Sequence, residues 1–474
     1  VIYHSIRKAE SMSQQIATGR HPLLLPLLAF AQFLLATSYN IVLVALPAMG
    51  EDLGMPETAL QWVASSYALA FGGLLLLGGR LGDVFGRRRL ILLGLALFAA
   101  GSLAAALAVN PVLLLSGRVL QGIGGALLSP AVVATIAVSF EEGPARFRAL
   151  AIWASAGAVG LALGSALGGI LMAFFTWRAT FLLLVPLALI GLVGAWRAAP
   201  YEDFRAARRS VDLLGGTFAA LGVAGIVFAL AELPNRGADV TVLGAGVAGA
   251  VLLAAFLFRQ RAVRNPLLQL SLFRSRTLTG GLVAMVLFTG SIGTSYYIFT
   301  LFTQSVLGTS ALATGLAFLP WGVTALLASS MAKVALNRLG IRGALILGLL
   351  IAAGGNAGFA SSLTPDASLT VMVAWTALLG IGQAVAFAPL FASAGAGVPA
   401  DQQGVASALM STIQQVGTAL GLAVLIGLAT WTINTSGAVG VEATANGLQI
   451  ATWMGAGILA SSAALTALIM PGRK

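Results

Sequence analysis

The stretch Gly78–Arg89, GGRLGDVFGRRR, lies between two long apolar runs and packs one acid, four arginines and four glycines into twelve residues. A charged side chain at the centre of a bilayer costs about 2.5–3.5 kcal/mol on insertion scales. A cluster of this kind between hydrophobic segments therefore belongs at a membrane surface. The whole chain agrees: 58% of its 474 residues are apolar, 9% are charged, and the mean hydropathy is +0.96. Soluble domains carry about 25% charged residues, so a soluble protein is excluded. At about 20 apolar residues per crossing, the length holds a dozen or more transmembrane helices.

Cutting at Gly, Pro and charged breaks gives fourteen apolar spans, at 23–49, 59–79, 90–109, 112–139, 149–175, 179–196, 213–232, 240–258, 277–304, 313–335, 342–362, 369–395, 404–433 and 447–470. With the N-terminus in the cytoplasm, 23 of the 26 Lys and Arg fall on the inner side. Arg178 and Arg236 fall outside, and Arg118 falls within the fourth span. This bias satisfies the positive-inside rule, and one miscounted span would reverse every later loop. The expected protein is an all-α polytopic membrane protein with both termini cytoplasmic, in a bacterial-type inner membrane. The net charge of +11 then reflects loops facing anionic lipid rather than nucleic acid. Cys is absent and the only histidines are His4 and His21. No metal site or cofactor is expected, and no enzymatic activity, since the membrane holds no His, Cys or paired carboxylates.

The simplest partition is a cytoplasmic segment 1–22, a six-helix bundle 23–197, a linker with two extra helices 198–276, a second six-helix bundle 277–470 and a tail 471–474. Residues 1–11, ahead of Met12, read as foreign to the native protein. A faint repeat supports two bundles: Asn337–Gly348, NRLGIRGALILG, echoes Phe85–Gly94 without its acid.

Within the spans, Arg118 stands two turns into the fourth. It either snorkels to the headgroups or is a buried cation that tunes a proton or substrate site. Gly160, Gly164 and Gly168 recur every four residues and form a flat stripe, expected both to pack tightly and to serve as the sliding surface between moving bundles. No carboxylate occupies the middle of a span. Glu232, near the outer end of the seventh, is the nearest approach, either a solvated helix end or a proton or cation site. Ser38, Asn40, Trp62, Tyr67, Tyr296, Tyr297, Trp321, Gln383, Phe387 and Gln414 place amides and aromatics inside helices. That composition suits a broad, mostly apolar pocket.

These residues resemble the major facilitator superfamily, in its fourteen-helix drug:proton antiporter branch, over residues 23–470. Gly79, Leu81, Gly82, Asp83, Gly86, Arg87 and Arg88 match the signature of the loop between helices 2 and 3. Arg118, Gln121, Gly122 and Gly125 match the helix 4 signature, where the resemblance implies a role in proton coupling. Gly160, Gly164, Gly168 and Gly169 match the helix 5 signature, although Ser165 stands where Pro is usual. A second departure is Ser38, at the position where the branch commonly has a protonatable Asp ahead of Val44-Ala45-Leu46-Pro47.

The resemblance implies a 6+2+6 fold of two pseudo-symmetric bundles and alternating-access efflux of hydrophobic or amphipathic, cationic compounds by a monomer, coupled to protons through Arg118, with Glu232 a further candidate from its own position. Gly79, Gly82, Asp83, Gly86, Arg87, Arg88 and the glycine stripe would form the gate. In it, Asp83 would point at the helix N-terminus near Asp401–Ser407, with Arg87, Arg146 or Arg148 as further partners. The alternatives are a lipid or lipid-conjugate transporter of the same fold and, in a different class, a non-transporting receptor or scaffold.

Overall fold

The computed structural model describes residues 23–141, 144–200, 212–263, 266–396, 398, 403–435 and 440–472. Its helices are α1 (Leu24–Leu43), α2 (Leu46–Leu53), α3 (Glu57–Phe85), α4 (Arg87–Ala106), α5 (Pro111–Ser139), α6 (Pro144–Phe174), α7 (Arg178–Ala198), α8 (Leu213–Arg236), α9 (Val240–Ala262), α10 (Arg276–Leu301), α11 (Ala311–Ala317), α12 (Leu319–Ser361), α13 (Leu369–Gly395), α14 (Gln403–Thr435) and α15 (Val441–Ile469). The N-terminal segment, the tail residues Arg473 and Lys474, and most of the 198–212 linker lie outside the described residues.

Thirteen helical runs are long and apolar enough to cross a membrane, and one of them, Ala311–Ser361, is 51 residues long. A straight helix of that length would reach roughly 75 Å, against an apolar layer of about 30 Å. It is two crossings. Gly340 breaks α12 with φ 69° and ψ −179°, and both arms then run along α13. A β-carbon at Gly380 of α13 would lie 2.5 Å from the Trp321 carbonyl oxygen of the first arm, and one at Gly355 of the second arm 2.5 Å from Leu379 N of α13. The fourteen expected crossings are present.

The first span is shorter than its apolar run. It ends at Leu43, and α2 restarts with Pro47 in its first turn. Proline has no N–H to donate, and its ring clashes with the carbonyl four residues back, which disfavours an unbroken helix through Leu43–Pro47. Elsewhere the starts follow their caps: Asn110, Asp212, Asp239, Ser275 and Ser310 each accept a backbone N–H three residues on. That satisfies donors that lipid cannot.

The two halves repeat one packing plan. In the first, α1 lies on α6, α3 and α4 on α5, and α4 on α7. In the second, α10 lies on α14, both arms of α12 on α13, and α12 on α15. The echo seen in sequence is real in space. Gly86, with φ 93°, is the single residue between α3 and α4, and Gly340 takes the same place between the arms of α12. Both need the left-handed backbone that glycine adopts freely. Two residues past each glycine, an arginine reaches the last turn of the sixth helix of its half. Arg88 Nη2 donates to the Trp196 carbonyl, and Arg342 Nη2 to that of Ala467.

The extra pair, α8 and α9, packs closely: a β-carbon at Gly225 would lie 2.7 Å from Ala245 O, and one at Gly249 2.7 Å from Gly222 O. α8 covers the seam where α3 meets α14. At its start, Asp212 accepts from Arg259 Nε (2.6 Å) and Gln260 Nε2 (3.0 Å) of α9. Gln260 Oε1 in turn accepts from the Leu267 and Leu268 amides leading to α10. At the opposite end of the first half, Asp52 accepts from Trp177 Nε1 (3.0 Å) and Arg178 Nη1 (2.7 Å), while Arg178 Nη2 donates to Ala108 O. Arg178, with Trp177 as a second donor, holds the Asp52 carboxyl below the usual carboxylate range.

Gly164→Val should lower thermal stability in detergent by about 1–3 kcal/mol through overpacking, because its β-carbon would lie 2.7 Å from Thr37 O. Gly82→Ala, with nothing within 4 Å, should leave it unchanged. Asp52→Asn should lower the melting temperature near neutral pH. A carboxyl depressed in the folded state stabilises above its unfolded pKa of about 3.9 and loses that contribution as pH falls through the folded value. The gap between Asp52→Asn and the unaltered protein should therefore close progressively below about pH 4.

Candidate functional site

Arg118 lies two turns into α5, behind the Asn110 cap and Pro111. Its residue surface is 1% exposed, so it does not snorkel. Its Nε donates to the Val63 carbonyl of α3 (2.8 Å) and its Nη1 to Gln121 Oε1 (2.8 Å). Gln121 Nε2 donates to Ser102 Oγ of α4 (2.7 Å), which donates to Phe98 O. The guanidinium carbon sits 4.4 Å above the centre of the Tyr67 ring, a cation–π contact strengthened by the dry surroundings. Every one of these partners is neutral. Ser38, 0% exposed, donates to Leu35 O of its own helix (2.9 Å) and contributes no charge in place of the acid usual there.

The second half contributes an aromatic stack. Tyr296 of α10 lies on Trp321 of α12 with ring centres 4.0 Å apart and planes within 10°, and Phe318 flanks Tyr296 at 5.7 Å. Gln383 of α13 holds the stack in register: its Oε1 accepts from Trp321 Nε1 (2.9 Å) and Tyr296 Oη (3.3 Å). Three of the pocket residues expected from sequence thus form one unit. Phe387, one turn along α13 from Gln383, is exposed and packs on Phe391. Tyr297 is fully buried, Gln414 is half-buried on α14, and Asn40 Nδ2 ties α1 to α6 through Leu161 O (2.8 Å).

Trp62 is held elsewhere, and its partner is Glu232. Trp62 Nε1 of α3 donates to Glu232 Oε1 of α8 (2.9 Å), and the indole packs on Phe228. Trp62 immediately precedes Val63, whose carbonyl holds Arg118. One step of α3 backbone therefore joins the two expected coupling residues.

The glycine stripe is a correction. Gly160, Gly164 and Gly168 do not face the other half. β-carbons there would lie 2.6–2.7 Å from the carbonyl oxygens of Phe33, Thr37 and Ile41 on α1, inside the first bundle. A run of glycines every four residues specifies a close neighbour without specifying which one. Contact between halves falls beside the stripe, where Ala162 meets Gly322, Ser165 O meets Gly315, and Gly169 meets Ala311 and Leu312. Gln304 Nε2 adds a bond to Val44 O (2.9 Å), and α3 meets α14 where Gly72 touches Gln415. These contacts run from mid-membrane towards the end opposite Arg87–Arg89.

Of the other gate residues, Gly79 and Gly82 lie near the end of α3 without tight neighbours, and Gly86 makes the turn. Arg87 opens α4 and Arg88 reaches α7. The side chain of Asp83 and residues Asp401 and Gln402 lie outside the described residues, as does the latch expected between them. Arg146 Nε donates to Phe140 O (3.1 Å), capping α5.

Tyr39 belongs with Ser38 and Asn40 to the polar interruption of the first span, whereas Asn356 escaped the sequence reading. Tyr39, adjacent to Ser38, has a buried hydroxyl without a hydrogen-bond partner. Asn356 of α12, 0% exposed, joins Ser291, Ser295 and Thr452. The distance from Gly86 to Ser102 equals that from Gly340 to Asn356, so the repeat itself was the signal for this second buried polar site.

The Major Facilitator Superfamily pattern matches residues 28–422. The chain is 33% identical over 453 residues to the puromycin resistance protein pur8 of Streptomyces alboniger, covering 94% of this chain and 90% of that protein. It is 35% identical over 448 residues to the cephamycin export protein CmcT of Amycolatopsis lactamdurans, covering 93% and 90%. Among solved structures, the peptide transporter POT in complex with sulfate aligns over 95% of this chain and 94% of its own, with TM-score 0.72 and 18% identity, a likeness of fold alone.

Gln383→Leu should leave the Tyr296 and Trp321 donors unpaired and cost about 1–3 kcal/mol, read as a lower melting temperature in detergent.

Proposed function

Since the chain belongs to the major facilitator superfamily, a family of transporters, we propose that it exports hydrophobic and amphipathic small molecules by alternating access, driven by inward movement of protons. The observation that carries this reading is the Trp62–Val63 step, which links Glu232 on α8 to the buried Arg118. Relatives named for antibiotic resistance and export support the substrate class. So does the aromatic stack of the second half, because rings offer large contact area without fixing one polar partner.

Protonation of Glu232 weakens its pull on the Trp62 indole. The Val63 carbonyl, one peptide away, is thereby free to shift, and with it the acceptor set of Arg118. With the basic ends of the helices in the cytoplasm, the contacts between halves at the other end fit an inward-facing state. The cavity loads from the cytoplasm or inner leaflet, and the outer contacts must part for release. One proton entering down 100 mV supplies about 2.3 kcal/mol, enough to sustain roughly a fiftyfold gradient of a neutral substrate.

The test is dye efflux from proteoliposomes with an imposed pH gradient. The unaltered protein should show gradient-driven flux. Glu232→Gln should retain downhill flux and lose its response to the gradient. A full gradient response in Glu232→Gln would remove Glu232 from the mechanism, and gradient-independent flux in the unaltered protein would sink proton coupling.

A further inference from the structure

The cation at the centre of the fold has no counter-charge: none of the ion pairs among the described residues includes Arg118. Its recorded hydrogen bonds, to Val63 O and Gln121 Oε1, use two of the five N–H groups of a guanidinium. Beside it, Tyr67 is 1% exposed, with its hydroxyl turned to the Ser38 side chain. The Tyr39 hydroxyl is buried and unpartnered, and Tyr39 lies within electrostatic range of both Arg118 and Tyr67. Tyr296 of the second half interacts electrostatically with Tyr39, and Trp321 stacks on it. Donors from α1, α3 and α5 thus lie together, and Tyr39 links them to the buried Tyr296–Trp321 stack of α10 and α12.

Uncompensated charge and an orphan hydroxyl are each unfavourable in a medium of low dielectric. An anion placed among them removes both penalties at once. A cation placed there meets Arg118 at close quarters, where repulsion is poorly screened. The cationic substrates implied by the family resemblance therefore do not suit this centre.

Resting on the export reading above, we propose that the preferred substrates are ring-bearing amphiphilic anions, with a carboxylate or phenolate received by Arg118, Tyr67 and Tyr39 and the ring system laid against the Tyr296–Trp321 stack. Release then requires the anion to leave its donors, and the same movement that shifts Val63 changes the hold on Arg118. The coupling residue and the substrate-charge receptor are one side chain.

The experiment uses the full-length protein in nanodiscs for binding and in proteoliposomes for flux. The probes are one fused aromatic body bearing a carboxylate, a carboxamide or a trimethylammonium group, and an alkyl carboxylate of matched hydropathy. The carboxylate should bind about tenfold or more tightly than the carboxamide, the ammonium weakest of the three, and the aromatic acid ahead of the alkyl acid. The double variant Tyr39→Phe/Tyr67→Phe should cut the carboxylate-to-carboxamide ratio at least threefold, with its melting temperature in detergent reporting that it folds. Ammonium binding as tight as carboxylate overturns the proposal, as does a ratio that the double variant leaves unaltered. Preference for the alkyl acid overturns it in favour of a lipid-like acid. The carboxamide separates the two readings: if it is bound and moved while the carboxylate has no advantage, only this inference fails, and if no probe is moved, the export reading fails with it.

Discussion

The structure depends on one contact, repeated many times: the bare face of a glycine against a backbone carbonyl of the next helix. Lipid tails are as apolar as leucine, so helices in a bilayer gain little by hiding hydrophobic side chains from them and associate through close packing instead. Gly160, Gly164 and Gly168 set α6 on successive carbonyls of α1, and Gly124 sets α5 on Gly94 O of α4. The contact that matters most is Gly122 of α5, where a β-carbon would lie 2.6 Å from Tyr67 O of α3. Arg118 is one turn from Gly122, and Val63 one turn from Tyr67. The approach of one pair therefore fixes the register of the other and delivers the guanidinium to its acceptor.

That dependence explains what could be read from sequence. The number of crossings was legible, since each needs a run of apolar residues and the basic loops alternate in side. The turn at Gly86, its echo at Gly340 and the burial of something at Arg118 were legible as breaks in an apolar background. Facing was not. A helix apolar all round has no polar stripe to orient it, so the glycines of α6 announced a close neighbour without naming α1. For the same reason Trp62 and Glu232, on helices far apart in sequence, gave no sign of meeting. Pro47 did carry a local signal for the break after Leu43, hidden by the continuity of hydrophobic residues on both sides of it.

The two halves share a scaffold and differ in charge. Arg88 and Arg342 brace their halves alike, and Ser102 and Asn356 occupy the same depth. In the first half the buried polar site carries a cation through Gln121, whereas in the second Asn356 closes its bonds among neutral hydroxyls and carbonyls. Electrostatic work during a transport cycle is thereby concentrated in one half, while the other supplies a rigid aromatic wall. The inserted pair α8–α9 brings Glu232 to the first half from outside the repeat, which is why the repeat gave no hint of it.

The single-residue joint at Gly86 has a consequence for how the protein is made. With α3 and α4 separated by one residue and three arginines following at once, neither helix has much slack to enter the bilayer by itself and wait for the other. A joint this short favours entry of the two into the bilayer as one hairpin, with its arginines kept together at one surface. Gly340 puts the same bias on the two arms of α12. Assembly of each half around one hairpin inserted whole is thus favoured by two glycines.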